Sequence, residues 1–471
     1  MEMTTYRTMP EKNRGNACFR PALSLAILPF LGLAACDGIL DVDDPDVVLP
    51  ETMEGPETLP AVRAHAFAEF SVAYGANPAA GRTGEILNSG LLADEFIHTG
   101  TFDTREAIDR RVVVDTNPHV QTAFHDLHRA RIAAERATGV FGRHAANTDR
   151  HAEMQNLAGF TYVMFGENYC SGVPFSRIAD DGTLEYGEPE TTTQTFGRAV
   201  AHFEEALNVA TAAGSDAQQN LARLGRARAL LGLGQYEAAA AVAAEVPTAF
   251  EYVIFHSETS TRQNNGVWSF NNSAGRWSVA DNEGGNGLPY RTDGRIDGEV
   301  QDPRIPSFHI GGAQRSALRP DEHWGQLKYP ERSSSTVLAN GIEARLIEAE
   351  AALRAGASGV ASFTALHDGI RATVGLAPLD PIEVAVMSQT QREDLHFQER
   401  AYWLWLTSHR LGDLRRLMWD YGRQQEDLFP VGQHHRGGAY GTATNFPIPF
   451  DEQNNPLATE CITRDDHLGR N

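Results

Sequence analysis

Four groupings in the sequence hold side chains able to do chemistry. Cys36 closes an apolar run. His434-His435 is an adjacent imidazole pair, and Asp94-Glu95 an adjacent acidic pair. Four aromatics, Trp268, Trp277, Tyr290 and Trp324, sit in a stretch rich in glycine and asparagine. The thiol has the clearest chemistry. Arg7, Lys12, Arg14 and Arg20 precede an apolar segment, Ala22 to Leu33, and Leu33-Ala34-Ala35-Cys36 follows. A basic stretch, an apolar stretch and then small residues make an export signal. At about 12 residues the apolar stretch is too short to span a bilayer comfortably. Ala34 and Ala35 are small enough to admit a peptidase, and the thiol is the nucleophile that takes a diacylglycerol, so the segment resembles a bacterial lipobox. The alternative is an ordinary signal peptide with an incidental cysteine. Pro29 and Asp37 argue against a membrane-spanning anchor. Residues 1–35 therefore read as a lipoprotein signal peptide, and residues 36–60, rich in Asp, Glu and Pro, as an extended acidic tether.

The other groupings are weaker. A metal at His434-His435 needs further ligands that the sequence alone does not supply, so the pair reads as part of a polar, glycine-rich loop and no metal is assigned. There is no HExxH, GxSxG, Walker loop or CxxC, and no catalytic residue or cofactor is assigned. Asp94-Glu95 reads as a solvated or capping pair. The aromatics are more informative, because core burial is less automatic in a loop-rich stretch. Trp268, Trp277, Tyr290 and Trp324 are candidates for a platform on which sugar rings or peptide side chains dock, with Asn271, Asn272, Asn282 and Arg276 supplying hydrogen bonds. The alternative is that these rings staple the loops to the body.

Residues 1–35 carry four of the 40 basic and two of the 62 acidic side chains, which leaves 36 against 60 in the mature chain. That excess argues against nucleic acid or an anionic membrane surface as partner. Once Cys18 leaves with the signal and Cys36 is lipidated, Cys170 and Cys461 remain in an oxidising setting, as a disulfide or as two buried thiols.

From residue 61 onward helical periodicity dominates. Val62, Ala66, Phe70 and Tyr74 share a stripe, as do Val120, Phe124 and Leu127, and Met154, Leu157, Phe160 and Met164. Residues 81–112 read as a loop and short turn. Phe196, Val200, Phe203 and Leu207 step by 4, 3 and 4 along a helix that Thr193 or Thr195 can cap and Gly214 ends. A second helix, with small residues at Ala222, Gly225 and Ala229, runs to Gly234-Gln235-Tyr236, where a third starts. The pair looks like a tetratricopeptide unit, echoed at 341–376 by Ile342, Leu346, Ala349 and Leu353. Residues 250–335 are loop-rich, with short strands expected at Tyr252–Phe255 and Val267–Phe270. Helix resumes at 341 and at 388–421, where Trp405 and His409 would share a face, and Arg400, Arg410, Asp413 and Arg415 would form an ion network.

The lipobox followed by "CDGILDVDDPD", the segments "GQLKYPERSSSTVLANGIEARLIEAEAALRAG" and "QREDLHFQERAYWLWLTSHRLGDLRRL", and the late "NFPIPFDEQNNP" resemble the SusD/RagB family, from Cys36 to about Pro456. The resemblance implies a mainly α fold. Tetratricopeptide-like helix pairs would form a right-handed scaffold, with long loops and a few short strands on the ligand side, all in one body over residues 61–471. It also implies a cell-surface lipoprotein of the outer membrane in Bacteroidetes-like bacteria, held by a lipid on Cys36. Such a protein captures oligosaccharide or peptide without chemistry and acts as the lid of a SusC-like TonB-dependent transporter. A lipid-anchored tetratricopeptide-type adaptor in envelope assembly, or a surface hydrolase, are the alternatives.

Overall fold

The computed structural model describes residues 55–179, 183–294, 302–310, 323–458 and Cys461. The export signal, Cys36 and most of the acidic tether lie outside them. Helix α1 (Leu59–Gly75) and α2 (Glu85–Leu92) lead to strand β1 (Phe96–His98) and α3 (Asp103–Asp109). Residues 81–112, expected as loop, thus hold two helices and a strand. Glu85, Asp94, Glu95, Arg105 and Asp109 are all buried here, so polar and apolar residues both face inward and no amphipathic period results.

Helices α4 (Pro118–His144) and α5 (Asp149–Asn168) are capped by the side chains of Asn117 and Thr148. Four two-residue strands follow, β2 (Val173–Pro174), β3 (Arg177–Ile178), β4 (Leu184–Glu185) and β5 (Pro189–Glu190), paired β2 with β5 and β3 with β4. Then come α6 (Thr192–Ala213), α7 (Asp216–Gly232) and α8 (Tyr236–Ala243). Thr191, not Thr193 or Thr195, caps α6, in a reciprocal box with Gln194. Gly214 ends the helix with a left-handed φ of 67°. The connections are short, so successive helices lie side by side: α4 on α5, α5 on α6, α6 on α7, α7 on α8. The Phe203 ring of α6 fills a notch that only glycine leaves open. A Cβ on Gly225 would meet it at 2.2 Å and one on Gly159 at 2.8 Å.

Beyond α8, regular structure thins. Strand β6 (Glu251–Ile254) precedes a single helical turn α9 (Gly266–Trp268), which runs into a π-helical turn, Ser269–Ser273. The strand expected at Val267–Phe270 is therefore helical. Next are β7 (Trp277–Val279), α10 (Tyr290–Asp293), β8 (Ser307–His309), β9 (Trp324–Gln326) and β10 (Thr336–Asn340). The antiparallel pairs are β1 with β7, β6 with β10 and β8 with β9. The chain closes with α11 (Gly341–Arg354), α12 (Val360–Ala372), α13 (Pro381–Val386), α14 (Gln389–Trp403), α15 (Arg410–Asp420) and α16 (Gln425–Leu428). Helix α11 packs on α8, α12 and α14, which extends the helical layer.

The stretch expected as one helix over 388–421 breaks between Trp403 and Arg410, where Leu406 and Ser408 take positive φ of 55° and 64°. Tertiary hydrogen bonds take up the freed backbone. Leu406 N–H donates to Glu95 at 2.9 Å, and the hydroxyls of Tyr329 and Tyr74 donate to the carbonyls of Leu406 and Thr407 at 3.1 and 3.2 Å.

Around this break lies a dense set of buried charges. Arg410 grips Asp94 bidentately at 2.7 and 2.9 Å. Arg400 grips Asp413 at 3.0 Å through two nitrogens. Arg416 bridges Asp413 at 2.9 Å and Glu350 at 2.8 Å. Arg228 grips Glu343 at 2.6 and 2.7 Å. Arg415 pairs with no acid among the described residues. It donates to the carbonyls of Gly166, Glu167 and Tyr169 and so satisfies the end of α5. Burial would push the Glu343 and Glu350 carboxyls up, but the guanidinium groups of Arg228 and Arg416 hold both well below the usual range. Cys170, just past α5, is joined to Cys461 by a disulfide, and its N–H donates to Phe446 O at 2.9 Å.

Glu350→Ala would leave the buried Arg400 and Arg416 to share the single charge of Asp413 and the Tyr421 hydroxyl without its acceptor. We expect a loss of about 3–5 kcal/mol in denaturant unfolding; a loss below about 1 kcal/mol, the range of an exposed pair, would contradict this. Glu95 gives a pH test. Burial pushes its carboxyl up to about 8 from an ordinary 4.5. The folded chain holds the proton that the unfolded chain releases, so this group lowers stability as pH rises from 4.5 to about 8. Glu95→Gln keeps the acceptor for Leu406 and cannot ionise. It should melt like the parent at the low end of that window and above it at the high end; parallel curves throughout would contradict the assignment.

Candidate functional site

The loop-rich stretch folds onto β1. In the β1–β7 pair His98 lies opposite Trp277 and Phe96 opposite Val279. Strand β9 joins β7 because the Trp324 N–H donates to Ser278 Oγ at 2.9 Å. Strand β8 pairs with β9, with His309 opposite Trp324. Asparagines pin the turn at 265–273 to these strands. Asn265 accepts from Trp268 N–H at 2.8 Å and donates to Ser334 O at 2.7 Å. Asn271 donates to Trp277 O at 2.6 Å and to Trp324 O at 2.9 Å. Asn272 donates to Gln326 O at 2.9 Å and accepts its N–H at 3.2 Å. The two side-chain amides thus bond to the backbone of β7 and β9 as a neighbouring strand would.

This corrects part of the expected ligand set. Trp277 and Tyr290 each have 0% exposure. Trp277 packs edge-on against Phe270 and His98, and Tyr290 stacks on Trp405 with a centroid separation of 6.1 Å. Both rings are core, out of reach of a ligand. Asn272 is buried too, and its amide is committed to β9. Trp268, Trp324 and Arg276 are only partly buried. Arg332 lies over the Trp268 ring at 5.2 Å, and Arg291 over Trp324 at 5.7 Å. The exposed His309 ring sits 5.0 Å from Trp324.

Phe102 did not emerge from the sequence reading. Its ring is 52% exposed at the start of α3, with the Arg105 guanidinium 4.6 Å from its centroid and that of Arg276 at 5.8 Å. The available signal was a single aromatic in the polar turn Thr101-Phe102-Asp103-Thr104. Thr99 N–H bonds to Arg276 O at 3.0 Å, and the Thr99 hydroxyl lies 3.2 Å from His323 Nδ1, next to Trp324. The Phe102 turn and the β7–β9 strands therefore belong to one continuous patch of loops. The patch offers half-open rings flanked by guanidinium groups, suited to C–H faces and hydroxyls.

Other groupings fall elsewhere. Asp94 and Glu95 are buried, one held by Arg410 and the other with its carboxyl pushed up to about 8 by burial, so they are neither solvated nor open to a substrate. A concavity of about 360 Å³ opens between α4, α5, α6 and the β3–β4 hairpin, lined by Arg131, Glu135, Tyr162, Arg177, Tyr186 and Arg198. Its arginines are already paired with Glu135, Glu185 and Glu190. The His434-His435 pair closes on Asp109 of α3, with nitrogen-to-oxygen distances of 3.1 and 2.9 Å.

The sequence matches no protein-family model and no curated protein. Solved structures are similar across most of the chain. A SusD-like protein from Bacteroides fragilis superposes with a TM-score of 0.62 at 14% identity, covering 88% of this chain and 98% of that one. The surface glycan-binding protein A of Bacteroides uniformis gives 0.62 at 14% identity over 86% and 99% of the two chains. A laminarin-binding SusD-like protein gives 0.53 at 16% identity over 86% and 98%. The chain has the mainly helical SusD-like fold.

The two tryptophans of adjacent strands should behave differently. Trp277→Ala empties a core site and is expected to cost about 3–5 kcal/mol in denaturant unfolding, while Trp324→Ala should cost far less. Equal losses would show that Trp324 is also a core staple.

Proposed function

We propose that this chain is a cell-surface lipoprotein that captures an oligosaccharide on the Phe102–Trp324 patch and passes it to a TonB-dependent transporter of the outer membrane, which it covers as a lid. The observation that carries the reading is the SusD-like fold, shared across nearly the whole length of structures named for glycan and laminarin binding. Those names favour a glycan over a peptide. The aromatic and guanidinium composition of the patch supports the same choice, since flat rings meet the C–H faces of sugars and arginines donate to their hydroxyls.

The lipid on Cys36 and the acidic tether are part of the proposal. Among the described residues no helix is long and apolar enough to cross a membrane. A three-chain anchor, with about 0.8 kcal/mol for each buried methylene, holds the body at the surface, and the tether gives it room to swing. Capture needs no bond-making. Binding orders the ligand on the loop patch, closure of the lid carries it to the barrel, and the transporter supplies the energy.

The test is a glycan array followed by calorimetry on the best ligand. Trp324→Ala and Phe102→Ala are each expected to weaken binding by roughly tenfold or more, about 1.4 kcal/mol, with melting temperatures near that of the parent. An array with no glycan hit and a peptide pool with one would replace the ligand class. Full affinity in both variants would remove the patch.

A further inference from the structure

Asp109 ends α3, and His434 and His435 lie some 325 residues later in a glycine-rich loop. The fold brings them to one point. Their ligand atoms all lie within 4.8 Å of one another, the one such group of histidine, cysteine or carboxylate side chains found among the described residues. Both Nε2 atoms aim at the same carboxylate oxygen, Asp109 Oδ2, at 3.1 and 2.9 Å. The side chains of Asp109, His434 and His435 are 2, 0 and 8% exposed. We propose that Asp109, His434 and His435 form a binding site for a divalent transition-metal ion of the zinc class.

The donor set fits. Two imidazole nitrogens and one carboxylate oxygen suit zinc and its neighbours better than calcium or magnesium, which prefer oxygen throughout. Bonds of about 2.0–2.1 Å in a tetrahedral array set neighbouring ligand atoms about 3.3–3.4 Å apart. The two nitrogen-to-oxygen separations, 3.1 and 2.9 Å, reach that with movements of a few tenths of an ångström. A support is also in place: the His98 backbone N–H donates to Asp109 Oδ2 at 2.8 Å and orients the carboxylate. Three protein ligands leave the fourth position to solvent or to a small ligand.

The ion carries a local cost. The Arg436 N–H donates to His434 Nδ1 at 3.2 Å, which puts the ring proton on Nε2. To ligate through Nε2, both rings must hold their proton on Nδ1, so His434 gives up this contact and the Arg436 amide turns aside. In exchange the ion pins the 432–440 loop to α3 and β1. Arg436 already reaches across to Gly100 O at 2.8 Å and to Glu106 at 2.6 Å, so the pinned loop buttresses the turn that carries Phe102. The site stands whether or not that patch takes a glycan.

The test uses the full chain, purified without a histidine tag and stripped with chelator. Cobalt(II) is titrated first, for its visible d–d absorption, and zinc is then added in competition. One equivalent of cobalt should develop a tetrahedral-type band that zinc abolishes, and zinc should raise the melting temperature. His435→Gln keeps an N–H for Asp109 but is a poor ligand. It should bind at least roughly tenfold more weakly, with an unchanged melting temperature in chelator. Should that variant not fold, His434→Gln serves in its place. Absence of the band in the parent, or a band of equal strength in the glutamine variant, overturns the proposal.

Discussion

The contact on which the arrangement depends is the buried bidentate pair between Arg410 and Asp94. Arg410 opens α15, in the helical layer, and Asp94 stands just before β1, in the loop layer. The carboxylate also accepts the Leu288 N–H at 2.9 Å, and the next residue's carbonyl accepts the Ala280 N–H at 3.0 Å. One ion pair therefore ties the late helices, the first strand and the 280–290 loop together. Two charges removed from water are costly unless well paired. The neighbouring network meets that condition: Arg400, Asp413, Arg416 and Glu350 each have a partner of opposite charge. A register shift in α15 would break several of these pairs together, which is how a set of buried charges fixes one packing.

What the sequence made legible follows from the same physics. Helices α4, α6, α7 and α11 put apolar residues on one stripe, so Phe196, Phe203 and Leu346 announce themselves by spacing. The three glycines and alanines at Gly225, Ala222 and Ala229 announce a close helix contact, and Phe203 occupies the space at Gly225. The buried polar segments were not legible. Asp94-Glu95 and Asp103–Asp109 look solvated until their partners, more than three hundred residues away in some cases, are in place. The break at Leu406 and Ser408 was equally hidden, because neither residue is glycine and the backbone is held by the distant Glu95, Tyr329 and Tyr74.

The loop aromatics show the limit most sharply. Trp277 and Trp324 stand on strands that lie side by side, in similar polar company, yet one is fully enclosed and the other half open. Composition identified a stretch that could present rings; only tertiary neighbours decided which rings are presented. Phe102 is the converse case. It lies outside that stretch in sequence and joins it in space through Arg276. Asn271 and Asn272, expected to meet a ligand, instead hold the strands that carry the open rings.

The central claim divides the molecule into a helical scaffold and a loop-built face that meets the ligand. Hydrogen–deuterium exchange with and without the tightest-binding oligosaccharide tests it directly. The account predicts slowed exchange at 99–105, 266–277, 307–309 and 324–326, with α6 to α8 unchanged. Protection centred on α6 to α8, with none in those loops, would contradict it.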